Sequence, residues 1–309
     1  MSSHPQDILV ILGPTASGKT RLGVQLAHKL GGEILSADSR QVYRGLDIGT
    51  GKDLAEYEID GERIPYHLID VVELDEEYNV YQYQRDCFEV LDELKSRGVL
   101  PLVVGGTGLY LDAVLEEYRM VEAPENPALR EKLQALSDAA LQERLLQLKP
   151  HQHNVSDLSD RERTVRAIEI AERERDHVPE PLPPIRPVLL GVRWPRPELR
   201  KRIRTRLVER MDAGLADEVQ SLLDRGVEEE RLYRLGLEYR YVVDYLHGVI
   251  RNRNDLIQKL ASAIVQFARR QETWFRRMER RGHTIHWVDR GDAEAAMDIV
   301  RRAGLHKTR

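Results

Sequence analysis

Eight consecutive residues near the N-terminus have types and spacing suited to anion chemistry. Gly13-Pro14-Thr15-Ala16-Ser17-Gly18-Lys19-Thr20 satisfies G-x-x-x-x-G-K-[ST] at every fixed position. Glycines at the two fixed positions let the backbone wrap with its N–H groups pointing inward, where they can cradle phosphate oxygens. Lys19 adds a mobile positive charge, and the Thr20 hydroxyl can hold Mg²⁺. The bland alternative is a Gly-rich turn with no ligand. It fits poorly, because an apolar run precedes the motif and a helical pattern follows it. The expected ligand is a diphosphate or polyphosphate, and the motif alone does not make it ATP.

Two further groups could do chemistry beside it. Asp38 ends the apolar run Glu33-Ile34-Leu35-Ser36-Ala37 and opens Asp38-Ser39-Arg40-Gln41. Residues just past the carboxyl ends of strands line the ligand crevice of an open α/β sheet, so Asp38 falls beside the phosphate loop. It also suits a capping role, and the two roles are compatible. Gly105-Gly106-Thr107-Gly108 follows another apolar run, Leu100 to Val104, and reads as a close approach to a ligand or as a simple turn. Gly45 to Lys52 is a glycine-rich loop without phosphate-loop spacing and reads as substrate-proximal. Cys87 is the only cysteine, which excludes an intramolecular disulfide and a cysteine-rich zinc site. His151 and His153 lack companion ligands nearby and do not suggest a metal.

The elements that must position these residues follow a consistent pattern. Ile8 to Leu12, Glu33 to Ala37, Leu100 to Val104 and Val188 to Val192 are short, non-alternating runs, as expected for strands buried on both faces of a parallel sheet. His67 to Asp70 and Thr284 to Val288 are further strand candidates. Helical patterns cover Thr20 to Leu30, Tyr81 to Arg97, Pro197 to Asp212, Gly214 to Arg225, Arg240 to Leu246 and Asp255 to Arg280. Between residues 121 and 187 the character changes. Proline clusters bracket two helical stretches, Leu129 to Leu148 and Asp160 to Arg175, which reads as an inserted helical subdomain. The expected fold is α/β: a P-loop NTPase-like parallel sheet flanked by helices. Residues 1–120 and 188–309 form its core, and 121–187 form a helical insertion.

Composition bounds the function class. At 309 residues, with 41% apolar and 32% charged residues, the chain reads as soluble and globular. It has no transmembrane-length run and no secretory signal, so the cytosol is the expected location. Net charge is −5, but unevenly placed: −10 over residues 1–120, −4 over 121–185 and +9 over 186–309. An arginine-rich third suggests an anionic partner, and solvated helix faces would account for it equally well. The phosphate loop leaves kinases, ATPases and phosphate-ester transferases open, while the lack of N-K-x-D argues against a GTPase.

Five stretches, GPTASGKT, SADSRQVYRGLDIGTGK, PLVVGGTGLYLDAVL, RKRIRTRLVERMDAGLADEVQSLL and QFARRQETWFRR, occur in one order. In them the chain resembles the tRNA dimethylallyltransferases (tRNA isopentenyltransferases) over most of its length. The resemblance implies transfer of the dimethylallyl group of dimethylallyl diphosphate to N6 of the adenosine just 3′ of the anticodon, giving diphosphate. It implies diphosphate held by Gly13, Thr15, Ala16, Ser17, Gly18, Lys19 and Thr20, with Mg²⁺ on Thr20 and with Arg202 and Arg206 nearby. It implies Asp38 as general base and Thr107 as a contact of the target adenosine. It implies tRNA contacts from Asp38, Ser39, Arg40, Gln41, Thr107, Arg130, Arg163, Arg166, Arg269, Arg270 and Gln271. The partners implied are a tRNA anticodon stem-loop and dimethylallyl diphosphate; no membrane is involved, and a monomer is expected. The chain departs from the family pattern at Glu238, at Gly51-Lys52-Asp53 and at His153 to Asp157. Two rival readings stand beside this one: a small-molecule P-loop kinase with Asp38 as base, and a tRNA-binding P-loop protein without transferase activity.

Overall fold

The computed structural model describes residues 5–116, 120–150, 160–177 and 181–305. His151, His153 and the rest of the 153–157 stretch lie outside the described residues, as does Pro179. Two compact units divide the chain: Met1–Glu116 with Pro183–Arg309, and Glu117–Leu182.

In the first unit, β1 (Gln6–Leu12) runs through the phosphate loop into α1 (Lys19–Leu30), and β2 (Glu33–Ala37) follows. A hairpin of β3 (Glu58–Ile59) and β4 (Glu62–Arg63) precedes β5 (Tyr66–His67), α2 (Val80–Ser96), β6 (Pro101–Gly105) and α3 (Gly108–Leu115). The second unit holds α4 (Pro127–Gln134), α5 (Asp138–Leu148) and α6 (Arg161–Asp176). The first unit then resumes with β7 (Ile185–Arg193), α7 (Arg196–Asp212), α8 (Leu215–Asp224), α9 (Glu229–Leu235), α10 (Leu237–Leu246), α11 (Arg253–Arg280), β8 (Ile285–Asp289) and α12 (Ala293–Arg302).

Among the described residues, six strands form a parallel sheet in the order β5-β2-β6-β1-β7-β8. β1 is central: Leu9 pairs with Leu102 on one side and with Val188 on the other. Ile8 to Leu12 are all fully buried, which accounts for the lack of alternation. The same layout brings the carboxyl ends of β1, β2 and β6 together, so their three following loops meet at one edge.

His67 to Asp70 is shorter as a strand than its sequence suggests. Only Tyr66 and His67 pair with β2, because Leu68 (φ 62°) and Asp70 (φ 55°) turn into the left-handed region. Leu129 to Leu148 is two helices rather than one. Ser137 accepts the Ala140 N–H at 3.3 Å and starts α5 anew. Within the second unit, Leu129, Leu133, Leu141, Leu145, Ile168 and Ala171 make a separate core.

Candidate active site

The phosphate loop is held from several directions. Ala16 (φ 61°) and Gly18 (φ 87°) both adopt left-handed backbone, and Gly18 opens α1. A Cβ on Gly13 would lie 2.8 Å from Ser17 Oγ and 3.0 Å from the Val192 carbonyl, so only glycine fits there. Trp194 donates its indole N–H to the Ser17 carbonyl (2.8 Å), and Arg202 Nε donates to the Ala16 carbonyl (2.9 Å). Arg202 also stacks on Trp194, 4.3 Å from the ring centroid. These contacts take up the carbonyls of Ala16 and Ser17. Ser17 Oγ is buried without a partner among the described residues.

A cavity of about 860 Å³ opens beside the loop. Ala16, Gly18, Lys19 and Thr20 form one wall, Asp47 to Glu56 contribute a second, and Lys201, Arg202, Arg206 and Arg210 of α7 line a third. Arg202, Arg206 and Arg210 are spaced i, i+4, i+8, so one helical ridge carries all three into the cavity. Arg210 was not anticipated from the motif, yet that spacing is visible in the sequence. Its side chain is largely buried, and its guanidinium donates to the Gly49 carbonyl (3.3 Å) and lies 3.6 Å from Glu238. Arg206 pairs with Asp53.

Lys19 sits among these charges. Burial lowers its pKa to about 8, and Arg206 and Arg210 push the same way against the attraction of Asp38. Burial raises the Glu238 carboxyl above its ordinary range, with Arg210 opposing and Asp38 reinforcing the shift. Burial likewise lowers the Arg210 guanidinium. The site is a concentration of positive charge with little solvent to stabilise it, a setting suited to a multiply charged anion.

On the other side of Lys19 lies a second group. A Cβ on Gly106 would come 3.4 Å from Lys19 Cε and 3.1 Å from the Gly13 carbonyl, so β6's loop packs directly on the phosphate loop. Thr107 donates its N–H to the Ala37 carbonyl (3.1 Å), and its hydroxyl oxygen accepts the Ser39 N–H (3.0 Å). Asp38 Oδ1 accepts the Arg40 N–H (3.0 Å), and Oδ2 has no partner among the described residues. Asp38 itself does not line the cavity.

Gln271 joins the two loops. It accepts the Thr15 N–H (2.9 Å) and donates to the Gly106 carbonyl (2.8 Å). Gln41 is also buried, hydrogen-bonded to Ser36 (3.0 Å) and the Gly51 carbonyl (3.2 Å). Arg269 and Arg270 are exposed on α11. In the second unit, Arg130 and Arg166 both hydrogen-bond Glu169, whereas Arg163 is exposed and its side chain has no partner among the described residues. Lys52 is fully buried in the Gly45–Lys52 loop and donates to the Tyr43 carbonyl (2.9 Å), to Asp47 (2.7 Å) and to Asp70. Trp194 and Lys52 had no signal in motif spacing, since their roles depend on loops meeting in space.

A family model described as IPP transferase matches residues 41–278, and one described as isopentenyl transferase matches residues 6–71. A protein of Syntrophotalea carbinolica named tRNA dimethylallyltransferase 2 is 59% identical over 285 residues, covering 92% of this chain and 94% of its own. One of Geotalea uraniireducens named tRNA dimethylallyltransferase 1 is 56% identical over 299 residues, covering 96% and 97%. Among solved structures, a full-length tRNA isopentenylpyrophosphate transferase of Bacillus halodurans superposes with a TM-score of 0.68 at 30% identity, covering 98% of this chain and 97% of its own.

Proposed function

The chain belongs to the IPP transferase family, and from that premise we propose that it transfers a dimethylallyl group from dimethylallyl diphosphate to N6 of the adenosine 3′-adjacent to the anticodon of a tRNA. The observation that carries the reading is the two-sided setting of Lys19. A cavity rich in arginine lies on one side, and Asp38 with Thr107 lies on the other.

The donor's diphosphate occupies the phosphate loop and the α7 arginines, and its apolar tail has Ile48, Leu54 and Ala55 for company in the same cavity. The target adenine leaves its stack to reach the site and is met by Thr107 and Asp38. The N6 lone pair attacks the allylic carbon, and the carbon–oxygen bond to diphosphate breaks. Lys19, Arg202, Arg206 and Arg210 stabilise the charge that develops on the leaving group. Asp38 Oδ2 takes the N6 proton. Ser39, Arg40, Arg163, Arg269 and Arg270 meet the tRNA. Gln41, Gln271, Arg130 and Arg166 act on it through the elements they hold in place.

Mg²⁺ fits this arrangement. The Thr20 hydroxyl has no hydrogen-bond partner among the described residues and borders the cavity. No cluster of three His, Cys, Asp or Glu residues among the described residues could hold a metal by itself. An ion on Thr20 would therefore draw further ligands from the diphosphate, whose charge it would neutralise. No helix among the described residues is long and apolar enough to cross a membrane, and the enzyme works on free tRNA in the cytoplasm as a monomer.

Donor choice tests the reading. With tRNA present, dimethylallyl diphosphate supports turnover, and Lys19→Ala raises its KM by about tenfold or more through loss of a charge–phosphate contact. Turnover supported by ATP in its place would make the protein a kinase.

A further inference from the structure

Glu218, on α8, is not part of the machinery described above. Its carboxylate accepts three consecutive backbone N–H groups, from Asp47 (3.1 Å), Ile48 (2.7 Å) and Gly49 (3.0 Å). It also accepts the Tyr239 hydroxyl at 2.8 Å. Successive N–H groups turned toward one point make an anion-binding nest. Here the anion is the chain's own carboxylate.

The loop that forms this nest is also a wall of the cavity, through Asp47, Ile48, Lys52 and Asp53. Its other side holds the clamp arginines: the Gly49 carbonyl accepts Arg210, and the Asp53 carboxylate pairs with Arg206. Glu218 and Arg210 thus grip the same residue, one at its N–H and one at its C=O. A Cβ on Gly49 would meet the Tyr239 ring and hydroxyl at 2.5 Å. On the inner side, Lys52 fixes the loop to Tyr43, Asp47 and Asp70.

We propose that Glu218 is a positioning residue for the diphosphate clamp: by filling the 47–49 nest it sets the loop against which Arg206 and Arg210 are aimed. Truncating Glu218 leaves a nest that a small free carboxylate can occupy. The proposal rests on the reading of the cavity as the donor's diphosphate site.

The test uses the full chain, with inorganic diphosphate binding and steady-state turnover as readouts. Glu218→Ala raises the diphosphate Kd and the donor KM about tenfold or more, while kcat moves by about threefold or less. Millimolar acetate or formate restores both toward parental values, and chloride at the same ionic strength does not. Glu218→Gln also weakens diphosphate, because its amide NH₂ faces N–H donors, but acetate does not rescue it since the nest is filled. Tyr239→Phe keeps the three N–H bonds and shifts KM only slightly. Parental Kd and KM in Glu218→Ala, or a raised Kd indifferent to acetate, would overturn the proposal. If the alanine variant does not fold, parental diphosphate affinity in Glu218→Gln overturns it and weakened affinity supports it. A parent that binds diphosphate but modifies no tRNA defeats the functional reading and leaves this one standing, because Kd alone still decides it.

Discussion

Asp38 is placed so that it can fill both roles that the sequence leaves side by side, cap and base. One carboxylate oxygen caps the turn at Arg40, and the other has no protein partner among the described residues. A single carboxylate can therefore be fixed in place and still accept a proton. Asp38→Asn keeps the cap and removes the base. It is expected to lower kcat by about 10²–10⁴-fold with little change in either KM, the pattern of an interaction made mainly in the transition state. Steady-state kinetics on both substrates checks this; parental kcat with a lowered Tm would leave Asp38 as a cap alone. Lys19 gives a second residue-scale expectation. With its pKa lowered to about 8, the free enzyme loses this positive charge as pH rises through that value. The protonated form binds the anionic donor, so kcat/KM for dimethylallyl diphosphate falls above about pH 8, and donor binding there takes up a proton. Lys19→Met abolishes that limb of the pH profile, whereas an unchanged profile would mean that another group titrates.

At the scale of elements, the parts governed by local rules were legible. The strand–loop–helix around Gly13 to Thr20 follows from glycine spacing between an apolar run and a helical period, and the buried strands follow from their lack of alternation. The second glycine loop was harder to read. Its glycines read as a substrate-proximal loop, but nothing local showed that the N–H groups of residues 47–49 are held by Glu218, some 170 residues on, or that Lys52 faces inward to acceptors from three positions. Such pairings depend on which loops the sheet order brings together, and no local pattern encodes them. The break at Ser137 also escaped periodicity, since α4 and α5 share an apolar spacing that one capping hydroxyl interrupts. In the second unit, α4 and α6 are tied through Glu169. Burial raises its pKa, but bonds from Arg130, the Asn126 N–H and Arg166 outweigh that and hold it below the ordinary carboxyl value. A depressed pKa contributes stability above the unfolded value of about 4.5, lost as pH falls through the lower folded value. Glu169→Gln weakens charge-assisted hydrogen bonds and should destabilise the protein by about 1.5–3 kcal/mol at neutral pH, with the deficit shrinking in acid; this is measurable by denaturant unfolding from pH 7 to pH 3. An equal deficit at all pH values would assign the loss to packing.

For the whole molecule, the charge distribution and the site point to one reaction between two anions. The net −5 hides a C-terminal segment at +9; among its arginines, Arg202, Arg206 and Arg210 line the cavity, and Arg269 and Arg270 are exposed on α11. If the exposed set meets tRNA phosphates, log Kd for tRNA rises steeply with log salt, and replacing Arg269 and Arg270 together flattens that slope by about one to two while diphosphate binding stays near parental. A slope equal to the parent's would make them a solvated face. The central claim is that the phosphate loop holds a leaving group and that the acceptor is an adenine amine. Its most direct test incubates the protein with Mg²⁺, labelled dimethylallyl diphosphate and unmodified tRNA, without ATP, and counts products. The account predicts one N6-dimethylallyladenosine, located 3′ of the anticodon, for each diphosphate released; no modified nucleoside, or modification that proceeds only as ATP is consumed, would contradict it.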